Sequence, residues 1–326
     1  MELERRALYN LLRMTWLRDP STEAEPWQVE DYRQLPTDVI FDCIDKLGIA
    51  LDNVSFFSNA ELVDSPEALT DLLLEDMDLD PSSQDQAYLL VFELWRRLLP
   101  EKLCLSIFCD ELDHQIFLFD QEKQEAELTQ DLIANLQIIL DENADQGGDP
   151  AAVFELVCAN CANDLENFLH DFISEQIDDE NMGYASELLE GFAPYLEHNN
   201  IFFELLKIRL LSLSDTETAQ SALKKLVQKA AKKGDLELNF EILSFISRGG
   251  DSSDFHKIIK ITIPLLETEE DFQDLLTLCS DYYRLLDQDE KENEIDSILH
   301  KRLSINLKTE ISQSDPDLRQ FLNLIK

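Results

Sequence analysis

The stretch FELVCANCANDLENFLHDF, residues 154–172, sets Cys158 and Cys161 three apart, with His170 nine residues further on. Such a trio could ligate zinc, or the two thiols could cycle to a disulfide. A closed zinc site needs four ligands, and the chain holds no second CxxC and no HxxxH pair to complete one. Phe154, Cys158, Cys161, Leu165, Phe168 and Phe172 step by 4, 3, 4, 3 and 4, the spacing of one buried face on an amphipathic helix. A cysteine on such a face behaves as a small apolar side chain. The spacing therefore predicts a helix over 154–172 whose cysteines pack in the core, with His170 off the stripe, ahead of zinc ligation or redox pairing.

Other reactive-looking patterns are weaker. Glu111 and His114 form a single Glu-x-x-His, whereas a di-iron bundle needs two such motifs and two further glutamates. SRGGDSSD (247–254) lacks the GKS or GKT element of a phosphate loop and follows no strand, so it reads as a helix end followed by a new cap. GxSxG is absent, and the five histidines (His114, His170, His198, His256, His300) single out no nucleophile–base pair. No catalytic residue, cofactor or metal is assigned, and an enzyme is not expected.

The elements that position these residues are helical. Only 8 Gly and 10 Pro in 326 residues leave little material for tight turns between many strands. Every apolar pattern has a period of 3.6, which predicts more than about 60% helix and no sheet. TDVIFDCIDKLG (37–48) opens on a threonine cap and closes on Gly48; SPEALTDLLLEDM (65–77) has a serine cap and proline at its first position. The proline-start pattern recurs at 80–99, 99–119 and 149–161, and TQDLIANLQIILDE (129–142) adds a further helix. The helix over 82–99 is apolar almost all round and belongs at a centre. NADQGGDP (143–150) is the most loop-like octet, giving an acidic, irregular helical domain over 1–146 and a second domain over 149–326.

In the second domain the chain repeats. Shifting 185–206 by 70 places Leu188 on Ile258, Leu189 on Ile259, Pro194 on Pro264, Leu196 on Leu266, Phe202 on Phe272 and Leu205 on Leu275. Seventy is two units of 35, and helix-pair starts near Asn181, Thr216, Ser253 and Gln288 match the size of one hairpin in an α-solenoid. The expected fold is all-α, with solenoid-like hairpins following an irregular helical domain. IPLLETEEDFQDLLTL (263–278), with Pro264 late in its first helix and an acidic turn before the second, resembles a HEAT hairpin. Over about 180–303 the chain is similar to degenerate HEAT and tetratricopeptide repeats. It lacks the Asp and Arg pair of the former and the Trp, Leu-Gly and Tyr pattern of the latter. The resemblance implies a binding scaffold and names no ligand.

Charge sets the partner class. The formal net is −41, and residues 1–206 hold 10 basic against 46 acidic side chains. Residues 124–206 carry 19 acidic side chains and no Lys or Arg. Such a surface repels nucleic acid and anionic lipid and attracts cations, although solubility alone also explains a high charge. No apolar run approaches the roughly 20 residues a bilayer requires, the N-terminus has no apolar core of a secretory signal, and six scattered cysteines suit a reducing compartment. A cytoplasmic protein is expected. The leading reading is a non-catalytic acidic scaffold, adaptor or chaperone that holds a protein partner, plausibly a basic one. The alternative is a helical hydrolase or metal-dependent enzyme whose carboxylates hide among the others. Candidate contacts are Glu187, Glu190 and Glu197 on one hairpin, Trp27 and Tyr32 in a turn-rich segment, and Lys225 and Lys229 on a lysine-studded helix whose apolar stripe is Leu223, Leu226, Val227 and Ala230. That lysine face also reads as a solvated one, and the aromatics as loop staples.

Overall fold

The computed structural model describes residues 3–121, 123, 126–196, 200–248 and 252–325, and of Ser252 the backbone alone. Among them lie 17 α-helices; the structure is 73% helix and contains no strand, as a uniform 3.6-residue periodicity requires. The chain forms two compact units, Met1–Leu169 with Gly191–Leu196, and His170–Glu190 with Glu197–Lys326.

The first unit contains α1 (Arg5–Arg18), α2 (Thr37–Lys46), α3 (Asn53–Ala60), α4 (Pro66–Leu74), α5 (Pro81–Leu98), α6 (Leu105–Phe119), α7 (Ala126–Asp145) and α8 (Pro150–Ala159). The next two helices, α9 (Leu165–Asp178) and α10 (Met182–Phe192), each have residues in both units. Asp80 caps α5 by accepting from the Ser83 backbone, and Pro81 occupies its first position. Ala87 to Trp95 are then buried without a break, because α2, α4 and the short turn Tyr32–Gln34 all pack on α5. A helix that is apolar all round is stable only when covered on every side.

Several helix bounds differ from expectation for local reasons. Thr37 is the first helical residue of α2 rather than its cap, and its hydroxyl accepts from Arg97. No helix starts at Pro100: residues 99–104 form a turn, held by Lys102 N–H on Leu99 O and Trp95 Nε1 on Lys102 O, and α6 begins at Leu105. The octet 143–150 is a helix–helix turn with Gly147 in the left-handed region, and α7 packs on α8 across it, so it lies inside the first unit. The helix expected over 154–172 is two helices, interrupted at 160–164.

The second unit continues with α11 (Ile201–Ser212), α12 (Thr216–Lys233), α13 (Leu236–Ser247), α14 (Ser252–Thr262), α15 (Glu269–Leu285), α16 (Asp289–Arg302) and α17 (Pro316–Leu324). Each helix from α11 to α13 packs on the next and on the next but one, and α15 packs on α16. The 70-residue offset carries α10 onto α14 residue for residue, and the turn after each holds an exposed proline, Pro194 or Pro264. Gly234, left-handed at φ 66°, ends α12. The C-terminal end is fastened by Arg302, which is buried, donates twice to Glu269 at 2.5 and 2.8 Å, and reaches Asp315 and Asp317 at 3.1 Å.

Candidate functional site

The acidic first unit turns four of its arginines, Arg6, Arg33, Arg96 and Arg97, toward buried carboxylates. Asp110, on α6, is 2% exposed and accepts from Arg6 at 2.6 Å, Arg33 at 2.5 Å and Asn10 at 3.0 Å. Burial alone would raise its carboxyl, but Arg6 and Arg33 outweigh that and hold it well below the usual carboxylate range. Glu93, on α5, is 1% exposed and accepts from Arg96 at 2.6 Å and Arg97 at 2.5 Å. Arg97 also bonds the Tyr32 and Leu35 carbonyls at 2.7 Å, tying the turn-rich segment to α5. Glu111 of the Glu-x-x-His pattern sits between Arg33 at 3.0 Å and Arg96 at 3.3 Å, so its oxygens are engaged by guanidinium groups. Burial and Arg33 hold His114 below its ordinary value. Such paired, buried charges act on packing and register, and none faces a neighbouring nucleophile.

Asp113, one helical turn beyond Asp110, explains the break in the CxxC helix. Its carboxylate accepts from the Ala162 and Asn163 backbone N–H groups at 2.9 and 3.0 Å, and from the side chains of Asn163 at 2.9 Å and Asn10 at 3.1 Å. It therefore captures the donors that would otherwise continue α8 into α9. Burial pushes its carboxyl up to about 6 in spite of these bonds. Cys161 is buried in this loop and Cys158 half-buried at the end of α8. Burial pushes the Cys158 thiol up to about 12, with Asp164 and Glu166 adding to it. A hydrogen bond with Cys109, then burial, hold Cys161 well above the ordinary thiol value. Thiols kept protonated in this way are poor nucleophiles and poor metal ligands at neutral pH. Among the described residues no three His, Cys, Asp or Glu side chains converge as metal ligands.

The candidate contact residues are scattered. Tyr32 is buried, with its hydroxyl on Trp27 O at 2.8 Å; Trp27 is half-buried against Tyr9 and donates to Glu25. The pair fastens the segment to the core. Glu187 and Glu190 are exposed on α10, and Glu197 lies outside the described residues. Lys225 and Lys229 are exposed on α12, Lys229 paired with Glu204 at 2.7 Å, while Leu223, Leu226, Val227 and Ala230 are buried. Exposed carboxylates at Glu127, Asp131, Glu142, Glu155 and Glu187 form no ion pair among the described residues.

The sequence reading missed a groove of about 390 Å³ in the second unit. Ile177, Met182, Leu213 and Leu223 supply apolar lining. On its wall, buried Arg209 donates to Ser174 at 2.6 Å and to Asp178 at 2.9 Å, and Arg248 donates to the same Asp178 oxygen at 2.9 Å. Burial raises the Asp178 carboxyl, but Arg209 and the Arg248 bond outweigh it and bring it below the ordinary value. The contributing residues come from the ends of α9, α11 and α13 and the starts of α10, α12 and α14. Only the packing of those termini brings them together, so no local motif announces them. No described helix is long and apolar enough to cross a membrane. Comparison with protein-family models, curated proteins and solved structures returns no match.

Proposed function

We propose that this all-α chain is a non-catalytic scaffold, built in its second unit from stacked helical hairpins, that uses an unneutralised acidic surface to hold a cationic protein partner. The observation that carries this reading is the disposition of charge in the first unit. Arg6, Arg33, Arg96 and Arg97 are spent on the buried carboxylates Asp110 and Glu93, while Glu127, Asp131, Glu142 and Glu155 remain exposed and unpaired. Exposed like charges raise the local concentration of a cationic partner and speed its encounter, at a Debye length of about 8 Å in physiological salt. The surroundings of the reactive-looking motifs fit the same reading: Cys158 and Cys161 are held protonated, and Glu111 is engaged by two arginines.

The test is capture from the native cell followed by kinetics with the captured protein. Reversal of exposed carboxylates in each unit, E127K with D131K and E187K with E190K, is expected to slow association several-fold with little change in the off-rate. Binding should weaken between 0.05 and about 0.5 M salt, where the Debye length falls to roughly 4 Å. A partner indifferent to both treatments, or stoichiometric tight binding of a divalent metal by the purified chain, would refute the scaffold reading.

A further inference from the structure

The groove in the second unit holds one carboxylate that the fold leaves uncompensated. Asp178 is satisfied by Arg209 and Arg248. Asp254, in the first turn of α14 and also lining the groove, is 9% exposed, and its side chain forms no hydrogen bond or ion pair with any described residue. The residue is mostly covered, yet its carboxylate oxygens are not among the fully buried atoms, so they are open to a ligand in the groove, at a helix start whose dipole favours their charge. Lys224 lines the same groove, yet forms no ion pair with it. Glu180, exposed at the rim with a left-handed backbone at φ 62°, adds a second unpaired anion.

The surroundings of Asp254 select the kind of cation. A metal ion needs several ligands on one point, and no such convergence exists among the described residues. The apolar lining from Ile177, Met182, Leu213 and Leu223 suits instead an aliphatic stem, the part of a Lys or Arg side chain that packs on apolar surface while its head seeks a charge. The volume of about 390 Å³ falls in the range of sites that take a side chain or small ligand. A planar guanidinium matches a carboxylate with two parallel hydrogen bonds, which an ammonium cannot do.

We propose that this groove receives an arginine side chain of the partner polypeptide, its stem on Leu213 and Leu223 and its guanidinium on Asp254. The proposal rests on the reading of a cationic protein partner and assigns that partner's anchoring residue. The probe is the blocked tripeptide Ac-Leu-Arg-Leu-NH2, titrated calorimetrically into the full chain at low salt. Saturable one-site binding is expected. It should weaken at least tenfold when citrulline, of nearly the same shape but uncharged, replaces the arginine, and at least tenfold in D254N. The citrulline arm uses the wild-type protein and tests the charge, and L213Q, at an exposed lining position, should weaken binding several-fold and so tests the location even if D254N is unstable. Equal binding of the two peptides, no saturable binding, or an unaltered affinity in a folded D254N would overturn the proposal. E187K with E190K should leave tripeptide binding within about twofold, because those residues are not in the groove. Loss of tripeptide binding alongside a salt-sensitive cationic partner would sink the groove assignment and leave the acidic-surface reading standing.

Discussion

At the residue scale, buried polar groups dominate the outcome because each is either matched or expensive. Asn239 on α13 is fully buried, and neither its Oδ1 nor its Nδ2 has a hydrogen-bonding partner among the described residues. An unmatched buried amide costs about 1–3 kcal/mol, so Asn239→Leu is expected to stabilise by about 1 kcal/mol after some overpacking. Urea unfolding measures it, and a clear loss of stability would mean that the amide is matched after all. Arg302 is the opposite case. Arg302→Met strands Glu269 beside Asp315 and Asp317, for an expected loss of about 3–5 kcal/mol. Asp113 gives a pH signature. Its folded value is raised from 3.8 to about 6, so the fold favours the neutral form. Its contribution is then full below about pH 4 and is lost as pH rises through about 6, by roughly 3 kcal/mol at 1.36 per unit. The wild type should therefore lose stability relative to Asp113→Asn between pH 4 and 7. A gain over that window would show that the four donor groups outweigh burial.

At the element scale, two glycines at helix ends separate backbone need from accident. Gly234 holds the left-handed end of α12, and Gly234→Ala should cost about 1–2 kcal/mol. Gly183 lies in the first turn of α10, where an added methyl group meets nothing within 4 Å. Gly183→Ala is expected to stabilise by about 0.5–1 kcal/mol through helix propensity. The pair is read by thermal or urea midpoints, and equal effects of the same sign would contradict the assignment. The break between α8 and α9 belongs to this scale too. Periodicity alone marked Phe154, Cys158, Cys161, Leu165, Phe168 and Phe172 as buried; all are except Cys158, which is half-buried at the end of α8. It carried no signal for the turn, because the carboxylate that makes it, Asp113, is 49 residues distant from Ala162.

At the scale of the whole molecule, a net charge of −41 works against compactness. The exposed carboxylates of α7 and α8 that form no ion pair among the described residues repel one another, whereas the ion pairs that matter most, on Asp110, Glu93 and Glu269, are buried and little screened. Raising salt from 0.02 to 0.5 M should therefore raise the urea midpoint, by screening repulsion over about 4 Å rather than 20 Å. A falling midpoint would show that exposed ion pairs outweigh the repulsion.

What the sequence determined by itself was periodic or compositional. The all-α class, the central place of α5, the buried stripe of α12 and the spacing of 34, 36 and 37 residues between helix starts at Met182, Thr216, Ser252 and Asp289, close to the expected 35, follow from side chains three or four apart on one helix. The excess of acid over base was equally plain. The tertiary structure alone decided which charges meet: that Arg6 and Arg33 neutralise Asp110 from 104 and 77 residues away, that Arg209 and Arg248 share Asp178, and that Asp254 has no ion-pair partner among the described residues. Charged side chains carry no periodic signal, and their partners are chosen by which helix ends come together. The candidate site was therefore illegible in the same residues that made the fold readable.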